Sequence, residues 1–254
     1  MTTSATARPV TASATRRFQP SFFLWMTLLM AVLVFGGFGM TYFYPLATGT
    51  FPPAPPVVHL HGIVFSSWMI LLLVQAFLVN VRNVALHRSL GTFGIALATA
   101  VMFMGALITL IGGVGAAGLS NPGANYYHGM YLGLLAVTGF GTLFVLAMRT
   151  VRTPDVHRRM ILFATLLILP PGVHRIYMVP FGLSEFPVLP MYLTLDALAI
   201  ALLTHEWRNT GRISGYSMIG AGWLLLQQLL HFPVTQSEWF AHFVRELMGL
   251  VRYR

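Results

Sequence analysis

The chain has 254 residues, of which 8% are charged and 56% hydrophobic, and its mean hydropathy is +0.74. A water-soluble chain of this size carries roughly a quarter charged residues, so the composition points to the lipid bilayer. The net charge of +9 rests on arginine, with no lysine, and the absence of cysteine excludes disulfides, thiolate metal sites and cysteine nucleophiles.

Residues 1–20, rich in Thr, Ser, Ala and Arg, read as a disordered cytoplasmic tail. The apolar run from Ser21 to Tyr44 is too long for a signal-peptide core and reads as a retained membrane anchor. Arg16 and Arg17, followed directly by Phe18, make a poor twin-arginine signal. Seven spans follow from runs near the ~20 residues that a bilayer requires: Phe22–Tyr44, Val57–Val79, Leu90–Val114, Tyr127–Met148, Met160–Val179, Val188–Leu203 and Tyr216–Phe232. The expected fold is therefore an all-α integral membrane protein, a seven-transmembrane helix bundle occupying residues 21–233.

Arginine assigns the sides. Arg8, Arg16 and Arg17 precede the first span, and Arg82 and Arg88 lie between the second and third. Arg149, Arg152, Arg158 and Arg159 lie between the fourth and fifth, and Arg208 and Arg212 between the sixth and seventh. The alternate connections, Pro45–Pro56, Gly115–Tyr126 and Pro180–Pro187, carry no arginine. The positive-inside rule then puts the N-terminus in the cytoplasm and the C-terminus outside, in a multi-pass protein of the bacterial inner membrane. Arginines at helix ends do not make a basic groove, so no nucleic acid is expected as a partner.

Residues 51–56, Phe-Pro-Pro-Ala-Pro-Pro, read as stiff polyproline-like chain. Residues 234–254 hold an amphipathic stretch from Ser237. Trp239, Phe240, Phe243, Val244, Leu247, Met248 and Val251 recur at helical spacing, while His242, Arg245, Glu246 and Arg252 face away. It reads as a helix on the outer interface or as a docking element for a partner subunit. The chain also repeats itself. His61-Gly62 precedes Arg82 by the same interval as His128-Gly129 precedes Arg149, and Val81-Arg82 to His87-Arg88 matches Val151-Arg152 to His157-Arg158. Residues 57–114 and 127–180 thus suggest duplicated hairpins.

Depth orders the histidines. At a rise of ~1.5 Å per residue, His61 and His128 lie about 31 Å from the nearest cytoplasmic arginine, His231 about 28 Å and His174 about 22 Å. These four form an outer layer, with His59 slightly beyond. His87, His157 and His205 form an inner one beside arginines. Interfacial imidazoles are one reading of either layer. Ligation of haem or a metal is the other, with His61, His128, His174 and His231 as outer ligands and His87 and His157 as a weaker inner pair.

Histidines on the second to fifth spans, in two layers, give the region Val57–Met160 a topology that resembles the ascorbate-reducible b-type transmembrane cytochromes. The resemblance implies that His61 and His128 clamp an outer haem b, and His87 and His157 an inner one. This chain departs from that family in its seven spans, its histidine spacings and an inner pair at the bilayer edge. The phrases Leu86-His-Arg-Ser-Leu-Gly and His157-Arg-Arg-Met also resemble those of uncharacterised bacterial multi-pass membrane proteins, which supply no activity.

Arg175 and Asp196 are the charges deep within the expected spans, where ionisable residues mark a pathway or a structural lock. Asp196 lies about 15 Å from Glu206, and a long Arg175 side chain could reach it or a haem propionate. Pro170-Pro171-Gly172 is expected to break the fifth span, and Gln75, Gln227 and Gln228 to bond between helices. Three function classes follow. One is a redox protein holding haem, or copper or zinc, and passing electrons to a quinone or periplasmic partner. A second is a small-molecule or ion permease using Asp196, Arg175 and the helix break. The third is an accessory subunit of a larger complex. A zinc hydrolase using three of the four outer histidines is a further possibility.

Overall fold

The computed structural model describes residues 19–117, 124–182 and 187–251. The tail up to residue 18, residues 118–123 and 183–186 of two arginine-free connections, and Arg252 lie outside them. All secondary structure among the described residues is helical, in the order α1 (Phe22–Phe38), a π-helical segment (Gly39–Phe43), α2 (Tyr44–Ala47), α3 (Pro56–Asn80), α4 (Val84–Ala117), α5 (Ala124–Arg149), α6 (Pro154–Leu167), α7 (Pro170–Phe181), α8 (Val188–Thr210), α9 (Gly215–Leu229), α10 (His231–Thr235) and α11 (Glu238–Val251).

Among the described residues, five stretches are long and apolar enough to cross a bilayer: Phe22–Ala47, Pro56–Asn80, Val84–Ile111, Tyr126–Arg149 and Val188–Thr210. They make this a multi-pass membrane protein. The expected fifth span is a bent pair, α6 and α7, meeting at 46°, and it counts as a sixth crossing only if the pair is one span. Pro170 and Pro171 cause the bend. Neither has an N–H to continue the ladder, so the chain tightens through Ile168 N–H to Thr165 O (3.1 Å) before α7 restarts.

The expected seventh span is not one long helix. Its α9 has 15 residues, roughly 22 Å, and is broken at Leu230 before the short α10. Pro233, inside α10, cannot donate to the carbonyl of Leu229. Conversely, the sixth runs beyond its expected end at Leu203 to Thr210, closed by Gly211 at φ +71°.

Side-chain contacts gather the arginine-bearing turns at one end. Ser21 N–H donates to Asn80 Oδ1 (2.7 Å), and the Arg158 guanidinium lies 3.9 Å over the Phe23 ring. Arg159 pairs with Glu206 at 2.8 Å and bonds Ser217 Oγ through Nε (3.2 Å). The opposite, arginine-free end is tied by Tyr42 to His59 (2.9 Å) and His128 to His231 (2.7 Å). The two hairpins flagged as a repeat, α3–α4 and α5–α6, both close through short turns at the arginine end. Arg82 takes a left-handed φ of +63° in the first, and Asn83 Oδ1 caps α4 by accepting from Leu86 N–H (3.2 Å).

Helices α1 and α7 cross at backbone contact. A Cβ on Gly37 would stand 2.0 Å from the Gly172 carbonyl oxygen, and one on Gly172 would stand 2.9 Å from Val34 Cα. Only glycine permits this approach, which small residues provide between membrane helices. Gly172→Val is expected to wedge the crossing open at a cost of about 1–3 kcal/mol, as overpacking does. Thermal unfolding in detergent measures it, and an unchanged midpoint would contradict the crossing.

The C-terminal α11 lays Phe240, Val244 and Met248 against the bundle, each at most 3% exposed. Phe240 meets the rings of Tyr127 and Tyr131. His242, Arg245 and Glu246 are exposed, and so is Trp239, at 69%, which the spacing had grouped with the apolar face.

Candidate functional site

A cavity of about 550 Å³ lies toward the arginine-free end, among α1, the π-helical segment, α3, α4, α5 and α7. Its size falls in the ~300–1,000 Å³ range of small-molecule and cofactor sites. Apolar side chains form most of the wall, among them Phe35, Phe38, Phe65, Met69 and Val137. Local sequence chemistry opens the space. Gly62 and Gly129 line it without side chains, and the π-helical bulge turns Thr41, Tyr42 and Phe43 onto one rim. The proline break carries α7 away from the axis of α6 and brings Pro170, Pro171, His174 and Arg175 to the opposite wall. Bulges and breaks of this kind recur at functional sites.

The polar groups are few. His174 Nδ1 lies 3.1 Å from the Pro170 carbonyl oxygen, an acceptor, so this nitrogen carries the proton and Nε2 keeps its lone pair. Arg175 also lines the wall. Its guanidinium sits 4.4 Å from the Phe38 ring centre and donates to the Pro171 carbonyl. His61, on α3, packs against Phe65 at 4.2 Å between ring centres, and its buried Nδ1 has no hydrogen-bond partner. The Tyr126 hydroxyl, on the same cavity, is likewise buried without a partner. An apolar chamber with a cation and unsatisfied polar atoms suits an amphiphilic ligand with an anionic or electron-rich end.

The outer-layer histidines therefore do not form one group. His61 and His174 line the cavity together with Arg175. His128 does not line it. Its Nδ1 is bonded to His231 Nε2, and the Nδ1 of the fully buried His231 is bonded to the Tyr192 hydroxyl. The two histidines that the cytochrome resemblance would pair thus have different neighbours: His61, on α3, lines the cavity, and His128, on α5, is bonded to His231. Among the described residues no group of three or more His, Cys, Asp or Glu side chains that could hold a metal ion is found. His59 does not line the cavity and bonds Tyr42.

In the inner layer, His157 Nδ1 lies 2.9 Å from the Ala147 carbonyl oxygen, and His87 Nδ1 is buried without a hydrogen-bond partner. His205 stacks flat on Phe22 at 4.0 Å and lines a separate hollow of about 200 Å³ with Asp155, Arg158, Arg159 and Glu206.

Arg175 does not reach Asp196. The carboxylate instead accepts from Gln228 Nε2 at 2.7 Å, while Arg175 turns back along its own helix to the Pro171 carbonyl. Gln75 bonds the His87 carbonyl between helices as expected (3.2 Å), but the Gln227 carboxamide bonds no protein group. Sequence reasoning missed Tyr126, Tyr131 and Tyr192, and the π-helical segment. For Tyr126 and Tyr131 the available signal was an aromatic hydroxyl within a turn of His128; Tyr192, far along α8 from His205, offered none. Comparison with protein families, with curated proteins and with solved structures finds no match for this chain.

Proposed function

We propose that this protein is a membrane redox protein that holds a haem b in the cavity near the outer face, with His61 and His174 as the ligand pair and Arg175 on a propionate. One observation carries the reading: two imidazoles from different helices and one guanidinium share a largely apolar chamber of about 550 Å³. The donor set fits. A histidine that ligates iron usually donates its other N–H to a carbonyl, as His174 does to Pro170. A guanidinium fork suits a carboxylate, and the Phe38 face below it limits its motion. When bound, haem would supply one-electron transfer, which the apolar walls tune by excluding water. The residues of the chain would bind, orient and screen it.

In this reading the bent pair α6–α7 crosses once, α9 and α10 together form a short seventh crossing, and the arginine-rich end is cytoplasmic. A quinone from the bilayer or a periplasmic protein would exchange the electron. The test is an optical spectrum of detergent-purified protein supplied with haem. A Soret band with a reduced-minus-oxidised difference is expected, and colourless protein that fails to bind added haem overturns the proposal.

A permease is the second reading, favoured by the 46° break and π-helical segment flanking the same cavity. Transport by haem-free protein, lost in Arg175→Gln, would select it.

A further inference from the structure

Tyr192, His231 and His128 form a continuous hydrogen-bonded chain joining α8, α10 and α5. His128 Nδ1 lies 2.7 Å from His231 Nε2, and His231 Nδ1 bonds the Tyr192 hydroxyl. His128 is partly exposed at the arginine-free end, whereas His231 is fully buried and Tyr192 is 7% exposed. The chain thus runs inward from the surface. It continues on α9, where the Gln227 carbonyl oxygen lies 3.4 Å from the Tyr192 hydroxyl and 2.9 Å from that of Tyr131, a second donor. The next residue, Gln228, holds Asp196, which stands one turn beyond Tyr192 on α8. Beyond Asp196 the line ends. Leu195, Ala199 and Leu202 are buried, and Glu206 is already paired with Arg159.

We propose that this chain is a proton relay, carrying protons from the arginine-free face to Asp196 within the span. Its chemistry is that of two interchangeable polarities. In the receiving state His128 Nδ1–H donates to His231 Nε2, His231 Nδ1–H donates to the Tyr192 oxygen, and Tyr192 O–H donates to the Gln227 carbonyl. A proton arriving on His128 Nε2 forms an N–H bond there, and the Nδ1 proton passes to His231 Nε2. The His231 Nδ1 proton then passes to the Tyr192 oxygen, and the original tyrosyl proton leaves toward the Asp196 carboxylate. One proton enters, one departs, and no electrons move. Turning the tautomers back resets the chain.

The surroundings suit transfer rather than charge storage. Tyr131 and Phe232 lie against the His231 ring, and among the described contacts no carboxylate or guanidinium touches His231 or Tyr192. Gln227, fully buried with a carboxamide that bonds no protein group, can seat a water between Tyr192 and Asp196. The relay needs nothing bound in the cavity, so it stands or falls apart from the haem reading.

Deuteron uptake by Asp196 after an acid jump tests it, followed by infrared spectroscopy of protein in lipid vesicles through the carboxyl band missing from Asp196→Asn. His231→Gln and Tyr192→Phe are expected to slow uptake by about 100-fold, the scale of a lost proton-transfer group. His242→Gln, on the exposed face of α11, should leave the rate unchanged. Elution on size exclusion identical to the parent establishes that each variant is folded. Parent-like rates in both folded relay variants, or an Asp196 in the parent that never takes up a deuteron, overturn the relay.

Discussion

Alanine at His61 or His174 is expected to abolish the Soret band of haem-loaded protein, whereas alanine at His128 is expected to retain it. The difference separates two arrangements of the same four outer imidazoles. A topology-based carry-over pairs His61 with His128. The structure puts His61 and His174 on the cavity wall and engages His128 with the buried His231. Losing an iron ligand should weaken haem binding beyond the about 10–100-fold that follows loss of a mere orienting partner. Arg175→Gln should weaken binding less and leave the band position unchanged, because a propionate contact anchors the ring without touching iron. Haem titrations of purified variants give the comparison. A band lost in His128→Ala but kept in His174→Ala would return the site to the His61–His128 arrangement.

Glu206→Ala is expected to destabilise the protein by about 3–5 kcal/mol, the scale of leaving one partner of a buried ion pair alone. Arg159 and Glu206 are only 7% and 2% exposed, and their contact at 2.8 Å ties α6 to α8. The cluster extends to α9 through Ser217, bonded to Arg159 Nε, and through Ser214 N–H, which donates to Glu206 Oε1 (3.2 Å). Without the carboxylate, a guanidinium stays in a poorly hydrated site. The paired replacement Arg159→Met with Glu206→Leu should recover most of the loss, because apolar side chains of similar volume avoid burying the charges at all. Equilibrium unfolding in a denaturing detergent series measures both. A double variant less stable than Glu206→Ala would show that the pair contributes net attraction rather than merely avoiding a penalty.

The Glu206 case shows how much of this molecule was legible beforehand. Glu206 sits in the sequence among polar and charged residues, His205 to Arg212, and reads as part of a solvated helix end. Folding brings Arg159 to it from 47 positions away, and nothing local announces the meeting. By contrast, the effect of Pro170-Pro171-Gly172 was plain, since a missing N–H acts on its own helix wherever that helix is placed. Helix ends divided in the same way. Ser21 and Ser214 cap α1 and α9 by local bonds that any reader of the sequence can expect, whereas the seating of α10 on α5 through His231 and His128 has no local signal. The histidines lay between these cases. A rise per residue places a ring along a helix axis, but direction around the axis depends on how the helices are rotated against one another. His61 and His128, at nearly equal counted depth, consequently serve different neighbours.

The sequence by itself determined the solvent and the elements: uncharged runs must fold as helices in lipid, because backbone groups there have no water to bond. It determined the arginine-bearing ends and the proline break for the same local reasons. Tertiary structure alone decided which polar groups share a space. The cavity of His61, His174 and Arg175, the chain through His128, His231 and Tyr192, and the buried Arg159–Glu206 pair all join separate helices. Such partners are selected by close packing at contacts like Gly37 on Gly172, and no periodicity along one strand of sequence encodes them.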